Sequence, residues 1–449
     1  MIGHARLLDT LAKLVARSPA DTTSISAHAK TYRVSRFAYE AIHQDLVQES
    51  VTVYVRVTAR QRIGVAATDT VERASLQRCL RAALAIAHHA PPTKGLPALP
   101  PRYERITTTG HCPETINTPP KQLIDELTRA FRLCSGVGAQ LAGSFAVGED
   151  EVSVVNSAGV ACYTASTFAS TKLVAMYRKL SGFASGVHRR LDALNLDGLL
   201  EQALKQCLHR HEPITVPTGT YEVILEPEAV ADLVTWLGYI AFGAKSFQER
   251  TSCLAGRMGE PLMDRRITIL DDGNDPMGLA VPFDFEGIPK QRVLLIDRGK
   301  AAGIVYDTTY GHLYGHPSTG HGFPPDEIEG PLPSHLFMEA GAQKRDELIR
   351  SCKRGLLIPR FHYVNGLLNP REALMTGLTR EGACLIKDGK LSAPISTMRF
   401  TQGLLEAFRH VLGISRARRL IADPTQELGC AVMPTLHLAK FRFTGRSED

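Results

Sequence analysis

The chain has 449 residues, of which 44% are hydrophobic and 22% are charged, and its formal net charge is +6. This length exceeds one ordinary hydrophobic core, so we expect two domains, and the composition is that of a soluble globular protein. The densest basic patch, at Arg416, Arg418 and Arg419, is far shorter than a basic stripe that tracks nucleic-acid phosphates. We interpret it as the solvated end of a helix and expect no nucleic-acid partner.

The cysteine pattern and the hydropathy favour a cytoplasmic protein. Nine cysteines are spread singly, which argues against a disulfide framework and a structural zinc knuckle and fits a reducing cytosol. Residues 1–18 predict an amphipathic helix with charges throughout, unlike a signal peptide. No stretch approaches the roughly 20 apolar residues of a membrane-spanning helix. We therefore expect no membrane partner.

Residues 1–213 predict strands grouped with helices, without the strict alternation of a parallel α/β fold. The predicted helices cover residues 1–18, 69–89, 120–134 and 194–210, and the predicted strands cover residues 51–57, 62–67, 143–146, 152–156, 160–168 and 172–177. We expect an N-terminal α/β domain in which a mixed sheet carries helices on one face. Pro213 marks the predicted boundary to a C-terminal β-rich domain over residues 214–449.

A strand that leads directly into an apolar helix opens the second domain. Tyr221, Val223 and Leu225 stand at every second position, as on one side of a strand, and Pro227 suits the first helical position, where its missing amide would have no partner. The apolar residues that follow have the spacing of a buried helical face: Val230, Leu233, Val234, Leu237, Ile240 and Ala241. Further strands are predicted over residues 267–270, 293–296, 304–306, 384–386 and 435–443, and a helix over residues 401–413. Asp388-Gly389 predicts a hairpin turn from the strand at 384–386 to Leu391. The fold class is therefore α+β (mixed α/β), with a strand-rich C-terminal domain around a central buried helix.

Five segments in this half resemble successive blocks of the TldD/PmbA family. They are ILEPEAVADLV at 224–234, AKSFQERTSCLAGRMGEPL at 244–262, ITILDDG at 267–273, GLAVPFDFEGIPKQRVLLIDRGKAAGIVYDTTY at 278–310 and GHPSTGHG at 315–322. The resemblance covers roughly the C-terminal half, and the N-terminal half is similar more loosely. It implies a zinc metallopeptidase subunit or a non-catalytic partner of one.

The resemblance also implies where a zinc site would lie. The catalytic, TldD-like subunits carry HExxxH in the helix that matches this one, and by eye those positions fall near Thr235, Trp236 and Ile240. These side chains supply neither imidazole ligands for Zn²⁺ nor a carboxylate for metal-bound water. The chain is thus similar to the PmbA (TldE-like) branch, and we expect no catalytic residue and no metal in this chain, with zinc in a partner subunit.

Histidines in YGHLYGHPSTGHG form the runner-up metal site. His312, His316 and His321 lie close in sequence, but the neighbouring glycines and Pro317 make a helix with paired ligands unfavourable. A loop remains able to gather three imidazoles. Cys207, His209 and His211 are a weaker set, because alternate helical positions point in different directions.

Two stretches are candidate contacts to a peptide or partner. Lys245, Gln248, Glu249 and Arg250 form a polar stripe after the helix, and the glycine-rich backbone at Ser318, Thr319, Gly320 and His321 allows another chain to approach closely. Turn geometry and surface solvation are the alternative explanation for both.

The resulting hypothesis is a non-catalytic TldE/PmbA-like subunit of a zinc metallopeptidase. The resemblance implies pairing with a TldD-like subunit that carries HExxxH, and unfolded peptides as substrates to be degraded or trimmed during peptide maturation. Two alternatives stay open. One is a stand-alone hydrolase that uses the histidines above or a thiol such as Cys430, and the other is a homodimeric peptide-binding protein.

Overall fold

Two β-sheets organise the described residues, and each is built from one half of the chain. The structure is a computed structural model that describes residues 2–103, 110–208 and 212–446. The α+β class predicted from the sequence is confirmed. The division into independent domains at Pro213 stays a prediction. None of the helices in the described ranges combines the length and the apolar character that crossing a bilayer requires.

The N-terminal sheet is antiparallel throughout. The elements of this half are, in chain order, α1 (His4–Val15), β1 (Thr22–Ala38), β2 (Ala41–Ala59), β3 (Arg62–Thr68), α2 (Arg73–His89), α3 (Pro113–Ile116), α4 (Pro120–Gly136), β4 (Gln140–Asn156), β5 (Ala161–Tyr177), β6 (Leu180–His188) and α5 (Leu196–Cys207). The strand order is β3–β2–β1–β4–β5–β6, and every neighbouring pair is antiparallel. Hairpins rather than helical crossovers connect most neighbours, which is why the sheet is not mixed as expected.

The helices cover one face of this sheet, as predicted. Leu141 and Val155 of β4 point to the same face, where Leu141 packs among residues of α4 and α5 and Val155 packs among residues of α1 and α2. On the opposite face, Val152 and Val154 pack against Phe283 of the C-terminal half. The two halves of the chain therefore share a buried interface behind the N-terminal sheet.

Strand β19 is the centre of the C-terminal sheet. The elements of this half are β7 (Gly219–Leu225), α6 (Pro227–Ala241), α7 (Ala244–Gln248), β8 (Ile269–Asp271), β9 (Val293–Asp297), β10 (Lys300–Ala301), α8 (Thr308–Tyr314), β11 (His335–Met338), α9 (Arg345–Ser351), β12 (Arg354–Ile358), β13 (Phe361–Asn369), β14 (Leu374–Thr379), β15 (Cys384–Lys387), β16 (Lys390–Pro394), β17 (Met398–Gly403), α10 (Leu404–Ala407), β18 (Val411–Ile421) and β19 (Cys430–Arg446). The main order is β10–β9–β8–β11–β19–β7–β12–β15–β16, and β17 and β18 also pair with β19. Helix α6 packs into the largest apolar core, as the sequence predicts.

The prediction of a helix over residues 401–413 is wrong. This region forms the end of β17, the short helix α10 and the start of β18. Strand β17 pairs with β14 and β19, and such long-range pairing overrides a local helical spacing. As a result, Arg418 and Arg419 lie on strand β18 and not at a solvated helix end.

Candidate functional site

Helix α6 has one buried side and one open side. Pro227 occupies its first position, where the missing amide has no partner to lose. Leu233 and Leu237 are buried in the core of the C-terminal sheet. Thr235 and Tyr239 are exposed. The open side is therefore the one on which chemistry with an external molecule would take place.

The positions that match the zinc motif do not fit a zinc centre. Thr235 is exposed, Ile240 is 4% exposed within the core, and the indole of Trp236 packs over Gly366. A Cβ at Gly366 would lie 2.9 Å from that indole. The backbone of strand β13 therefore packs directly against the ring. Zinc takes thiolate, imidazole or carboxylate ligands, and none of the three matched side chains offers one.

A cavity of about 970 Å³ lies where the first turn of α6 meets the N-terminal half. Strand β6 and helix α5 form one wall, and the other wall comes from the C-terminal half. The lining combines apolar and charged side chains, among them Leu180, Phe183, Leu357, Ile395, Lys179, Glu201, Glu226, Glu228, Arg345, Arg380 and Arg419. This volume is at the upper end of the roughly 300–1,000 Å³ typical of ligand clefts.

Ion pairs anchor the first turn of α6 within this cavity. Arg345 lies 2.5 Å from Glu226, and Arg419 lies 3.1 Å from Glu228. Arg419 also donates to the backbone carbonyl of Ser185 on β6 at 2.6 Å, so it connects the two halves of the chain. Burial raises the pKa of Glu228, and the Arg419 guanidinium opposes that shift. Arg419 is therefore a structural cation rather than part of a solvated basic patch.

A second acid on α6 is held by the backbone of strand β13. The N–H of Phe361 donates to Asp232 Oδ2 at 3.0 Å. Burial raises the pKa of Asp232 to about 7, although this N–H and the nearby Arg360 oppose the shift. Arg360 itself pairs with Glu381 at 2.6 Å and stacks 4.1 Å over the ring of Phe183. Asp232 thus titrates in the acid-to-neutral range.

The edge strand β6 is closed along this cavity. Edge strands usually invite pairing with another chain, but the Gln206 amide donates to Phe183 O and accepts from Phe183 N, both at 2.9 Å. The N–H of Gly382 donates to Ser181 O at 3.0 Å. An extended peptide in this cavity would therefore meet side chains at this wall rather than open backbone groups.

A buried polar network lies under strand β8, away from α6. His321 Nε2 lies 2.8 Å from Asp271 Oδ1, while Asp271 Oδ2 accepts from the backbone N–H groups of Ser334 and His335 at 2.7 and 2.6 Å. The ammonium of Lys290 donates to Ser334 Oγ at 2.8 Å. Sequence reasoning singled out His321 and noted His335 nearby in the sequence, but it missed Asp271, Lys290 and Ser334, because β8 approaches this region only when it pairs with β11.

Burial and Lys290 set the charges of this network. Burial lowers the pKa of His321 and lowers that of His335 to about 4, and the nearby Lys290 ammonium adds to both shifts. Burial alone would raise the pKa of Asp271, but His321 and Lys290 hold it well below its usual range. Neutral His321 then donates from Nε2 to the carboxylate and accepts at Nδ1 from the Thr319 hydroxyl at 2.9 Å. The polar groups of this network find their hydrogen-bond partners within it, so we interpret the network as structural.

Comparison with known proteins decides the family. Residues 218–445, half of the chain, match the family profile of the PmbA/TldA metallopeptidase C-terminal domain. The chain belongs to the TldD/PmbA family. The TldD homologue described as a metalloprotease in Haemophilus influenzae is 26% identical over 243 residues, which cover 52% of this chain and 47% of that protein. The chain thus spans about half the length of the curated relatives that it matches.

Solved structures of the family share the fold over nearly the whole chain. The crystal structure of TldE from Thermococcus kodakarensis matches with a TM-score of 0.88 at 20% identity and covers 97% of this chain and 100% of that one. A protein from Thermotoga maritima, described as a candidate modulator of a DNA gyrase, matches with a TM-score of 0.86 at 17% identity over 98% of this chain and 100% of that one. At these identities the likeness concerns the fold.

The polar stripe at residues 245–250, after α6, lies at the surface. Glu249 and Arg250 are exposed, and Gln248 is half-buried. The Lys245 ammonium donates to the carbonyl of Ile328 at 2.5 Å, so it ties α7 to a neighbouring loop. A contact between this stripe and a peptide or partner stays a prediction.

The glycine-rich loop faces its own chain. The Ser318 hydroxyl donates to the carbonyl of Tyr306 at 3.2 Å, and the N–H of Tyr306 donates to the Thr319 hydroxyl at 2.8 Å. Gly320 has a φ of 74°, and a Cβ there would lie 2.5 Å from the carbonyl oxygen of Pro289. His321 is fully buried. The close approach at Gly320 is therefore made by residues 289–290 of the same chain, and a contact of this loop with another chain stays a prediction.

The runner-up histidine site does not assemble. His312 is exposed on helix α8, which forms despite its glycine and ends at Gly315 before His316. His316 is exposed and stacks on Tyr306, with ring centroids 4.7 Å apart, whereas His321 is buried beside Asp271. Of the weaker set, His209 and His211 lie outside the described residues, and Cys207 is buried.

The candidate nucleophile Cys430 is a poor one. Burial raises the pKa of its thiol to about 12, and the sulfur accepts a hydrogen bond from the N–H of Leu279 at 3.4 Å. Since the thiolate is the reactive form of cysteine, this environment disfavours attack on a peptide bond.

Proposed function

We propose that this chain is the non-catalytic, TldE/PmbA-like subunit of a cytoplasmic zinc metallopeptidase. A TldD-like subunit with HExxxH would supply the zinc and hydrolyse unfolded peptides. This chain would complete the interface and form part of the wall of the peptide chamber. In this assignment the chain contributes no group that attacks the peptide bond.

One observation carries the proposal. At the positions of α6 where the family motif falls stand an exposed threonine, a tryptophan packed on Gly366 and a buried isoleucine. Building the motif there would require an imidazole at Ile240, inside the core. The fold that the chain shares with TldE over 97% of its length is compatible with this role.

The cavity beside α6 supports a role in holding a peptide. Its charged pairs, such as Glu228 with Arg419, fix donors and acceptors in place, and apolar residues such as Phe183 and Leu357 lie between them. A peptide presents both a polar backbone and apolar side chains, so a mixed lining of this kind suits it. Because β6 is closed by Gln206 and Gly382, specificity would come from side-chain contacts.

The test compares the chain alone with the chain and its TldD-like homologue. Both samples receive the same unstructured peptide and added zinc. We expect cleavage only with the homologue and loss of cleavage on chelation. If the chain alone cleaves as fast as the pair, it is a stand-alone hydrolase and the proposal is wrong. If the two chains do not associate and this chain forms a homodimer that binds the peptide, the proposal is equally wrong.

A further inference from the structure

Three residues with metal-ligand side chains meet on the face of the C-terminal sheet that α6 does not cover. They are Glu222 on β7, Cys352 directly after α9, and His437 on β19. One ligand atom from each lies within 4.8 Å of the other two. In the described part of the chain, no other three histidines, cysteines or acids come together in this way.

Strand alternation explains why these side chains share a face. Successive residues of a strand point to opposite sides, and Val223 of β7 and Leu438 of β19 belong to the core around α6. Their neighbours Glu222 and His437 therefore point away from α6, toward the smaller apolar cluster around α9. Strands β7 and β19 are direct antiparallel neighbours, which brings the carboxylate and the imidazole side by side.

A glycine on β12 makes room for the thiol. Gly355 pairs with Glu222 across the sheet, and a Cβ at Gly355 would lie 2.6 Å from the sulfur of Cys352. The sulfur thus occupies the space that a side chain at this position would fill. Cys352 is fully buried and His437 is 3% exposed, whereas Glu222 is 26% exposed. The site is enclosed on the thiol and imidazole side and open at the carboxylate.

The two ring nitrogens of His437 face Glu222 and Ser351. His437 Nε2 lies 2.6 Å from Glu222 Oε1, which is a hydrogen bond from Nε2–H to the carboxylate when no metal is bound. His437 Nδ1 lies 3.4 Å from the Ser351 hydroxyl oxygen, and that hydroxyl donates its own proton to the carbonyl of Leu348 at 2.8 Å. The Ser351 oxygen can therefore accept from Nδ1 if a metal takes the place of the proton on Nε2. A hydrogen bond from the nitrogen that does not bind the metal usually orients metal-binding histidines.

We propose that Glu222, Cys352 and His437 bind a zinc ion through Oε1, Sγ and Nε2. A thiolate, an imidazole and a carboxylate are the ligand types that zinc takes, whereas Mg²⁺ and Ca²⁺ prefer oxygen ligands. Zinc bonds of roughly 2.0–2.3 Å place ligand atoms more than about 3 Å apart, so the carboxylate has to turn away from the imidazole. Glu222 is the exposed ligand and has room to do so. Binding releases the thiol proton to solvent, and a water molecule completes the fourth position from the Glu222 side.

In the proposed peptidase, this zinc site would stabilise the fold and would take no part in hydrolysis. It joins β7, β19 and the end of α9, and the other end of α9 carries Arg345, which lines the cavity and pairs with Glu226. Zinc would therefore fix the helix that forms part of the cavity wall. The inference stands independently of the proposed function, because it concerns binding by this chain alone.

The experiment measures metal binding by the purified full chain, first stripped with chelator. Zinc binding is followed by competition with a chromogenic chelator, and Co²⁺ serves as a spectroscopic probe of the ligands. We expect one zinc per chain and a thiolate-to-cobalt charge-transfer band in the wild type. Loss of a ligand in Cys352→Ser or His437→Gln should weaken binding by more than the roughly 10–100-fold that loss of an outer-shell partner costs. Mg²⁺ and Ca²⁺ should not compete.

Two matched variants control for general damage and for adventitious binding. Cys384→Ser alters another buried cysteine of the same apolar cluster, and His316→Gln alters an exposed histidine. Both should keep the affinity and the cobalt band. The proposal is overturned if the wild type gives no thiolate-to-cobalt band, which needs no variant to fold. It is also overturned if Cys352→Ser binds zinc as the wild type does, or if Cys384→Ser loses as much affinity as Cys352→Ser.

Discussion

The two faces of the C-terminal sheet differ in how their metal-binding residues are arranged along the chain. On one face, α6 has Thr235, Trp236 and Ile240 where the family resemblance places zinc ligands. On the other face, Glu222 and His437 come from strands that are 215 residues apart. A motif within one helix is visible as local spacing, while a site assembled from distant strands is visible only in the fold. The loss of a family motif therefore says nothing about metal binding elsewhere in the same chain.

The largest expected effect is the loss of stability when the buried side of α6 is truncated. Ile240→Ala should lower the free energy of unfolding by about 3 kcal/mol, because truncating a buried isoleucine leaves a cavity. Thr235→Ala, on the exposed side of the same helix, should change it by less than about 0.5 kcal/mol. Urea unfolding measures both. Equal small effects would mean that position 240 is not core and that a histidine would be tolerated there.

The opposite face should respond to zinc. At a free zinc concentration about 100 times the dissociation constant, binding to the folded state alone adds roughly 2.7 kcal/mol to the free energy of unfolding. Thermal unfolding of the stripped chain with and without zinc measures this. Cys384→Ser should show the same stabilisation and Cys352→Ser should show none. A stabilisation that survives Cys352→Ser would place the metal somewhere else.

The ion pair between Arg419 and Glu228 should contribute more to stability than a surface ion pair does. Arg419→Ala should cost about 2 kcal/mol of stability, less than the roughly 3–5 kcal/mol for a fully buried pair because Arg419 is partly exposed. The cause is the uncompensated carboxylate of Glu228, so adding Glu228→Gln to Arg419→Ala should recover part of the loss. Arg418→Ala on the same strand is the matched control. If the two arginine variants unfold at the same urea concentration, the ion pair does not anchor α6.

The smallest effect is a pH dependence that comes from Asp232. Its pKa is raised from 3.8 to about 7 in the folded chain, so between these values the folded state binds more protons than the unfolded state. The contribution of Asp232 to stability should therefore fall as the pH rises from about 4 to about 7. Three pKa units would correspond to roughly 4 kcal/mol, and we expect about 1 kcal/mol because the side chain is only half-buried. Unfolding at both ends of this range gives the difference in stability between the wild type and Asp232→Asn, and this difference should fall by about that amount from the lower to the higher pH. Asp346→Asn at an exposed site should keep the wild-type profile. A difference that does not change with pH would contradict the assignment.

What the sequence predicted well was local. Strand β7, Pro227 and helix α6 follow from alternation and from helical spacing over consecutive residues, and each is confirmed. The hairpin of β15 and β16 follows from Asp388-Gly389 and is confirmed as well. These features need no knowledge of what lies across the fold.

What the sequence did not predict depended on close packing between distant segments. Strand β1 was missed because polar residues such as Lys30 are buried on it, and the Lys30 ammonium donates to the carbonyl of Pro424 at 2.6 Å. Strand β6 was missed because it carries small residues such as Gly182, where a Cβ would lie 2.0 Å from the carbonyl oxygen of Ala203 on α5. In both strands the residue type is determined by the segment that packs against it and not by the local sequence pattern.

The most direct test of the central claim uses a pair of subunits in which the TldD-like partner is disabled at the glutamate of its HExxxH. Hydrolysis of an unstructured peptide is measured for this pair in the presence of zinc, beside the intact pair. We predict cleavage by the intact pair and none by the disabled pair, because the proposed function places the hydrolytic centre in the partner. Cleavage by the disabled pair at a rate near that of the intact pair would contradict the account.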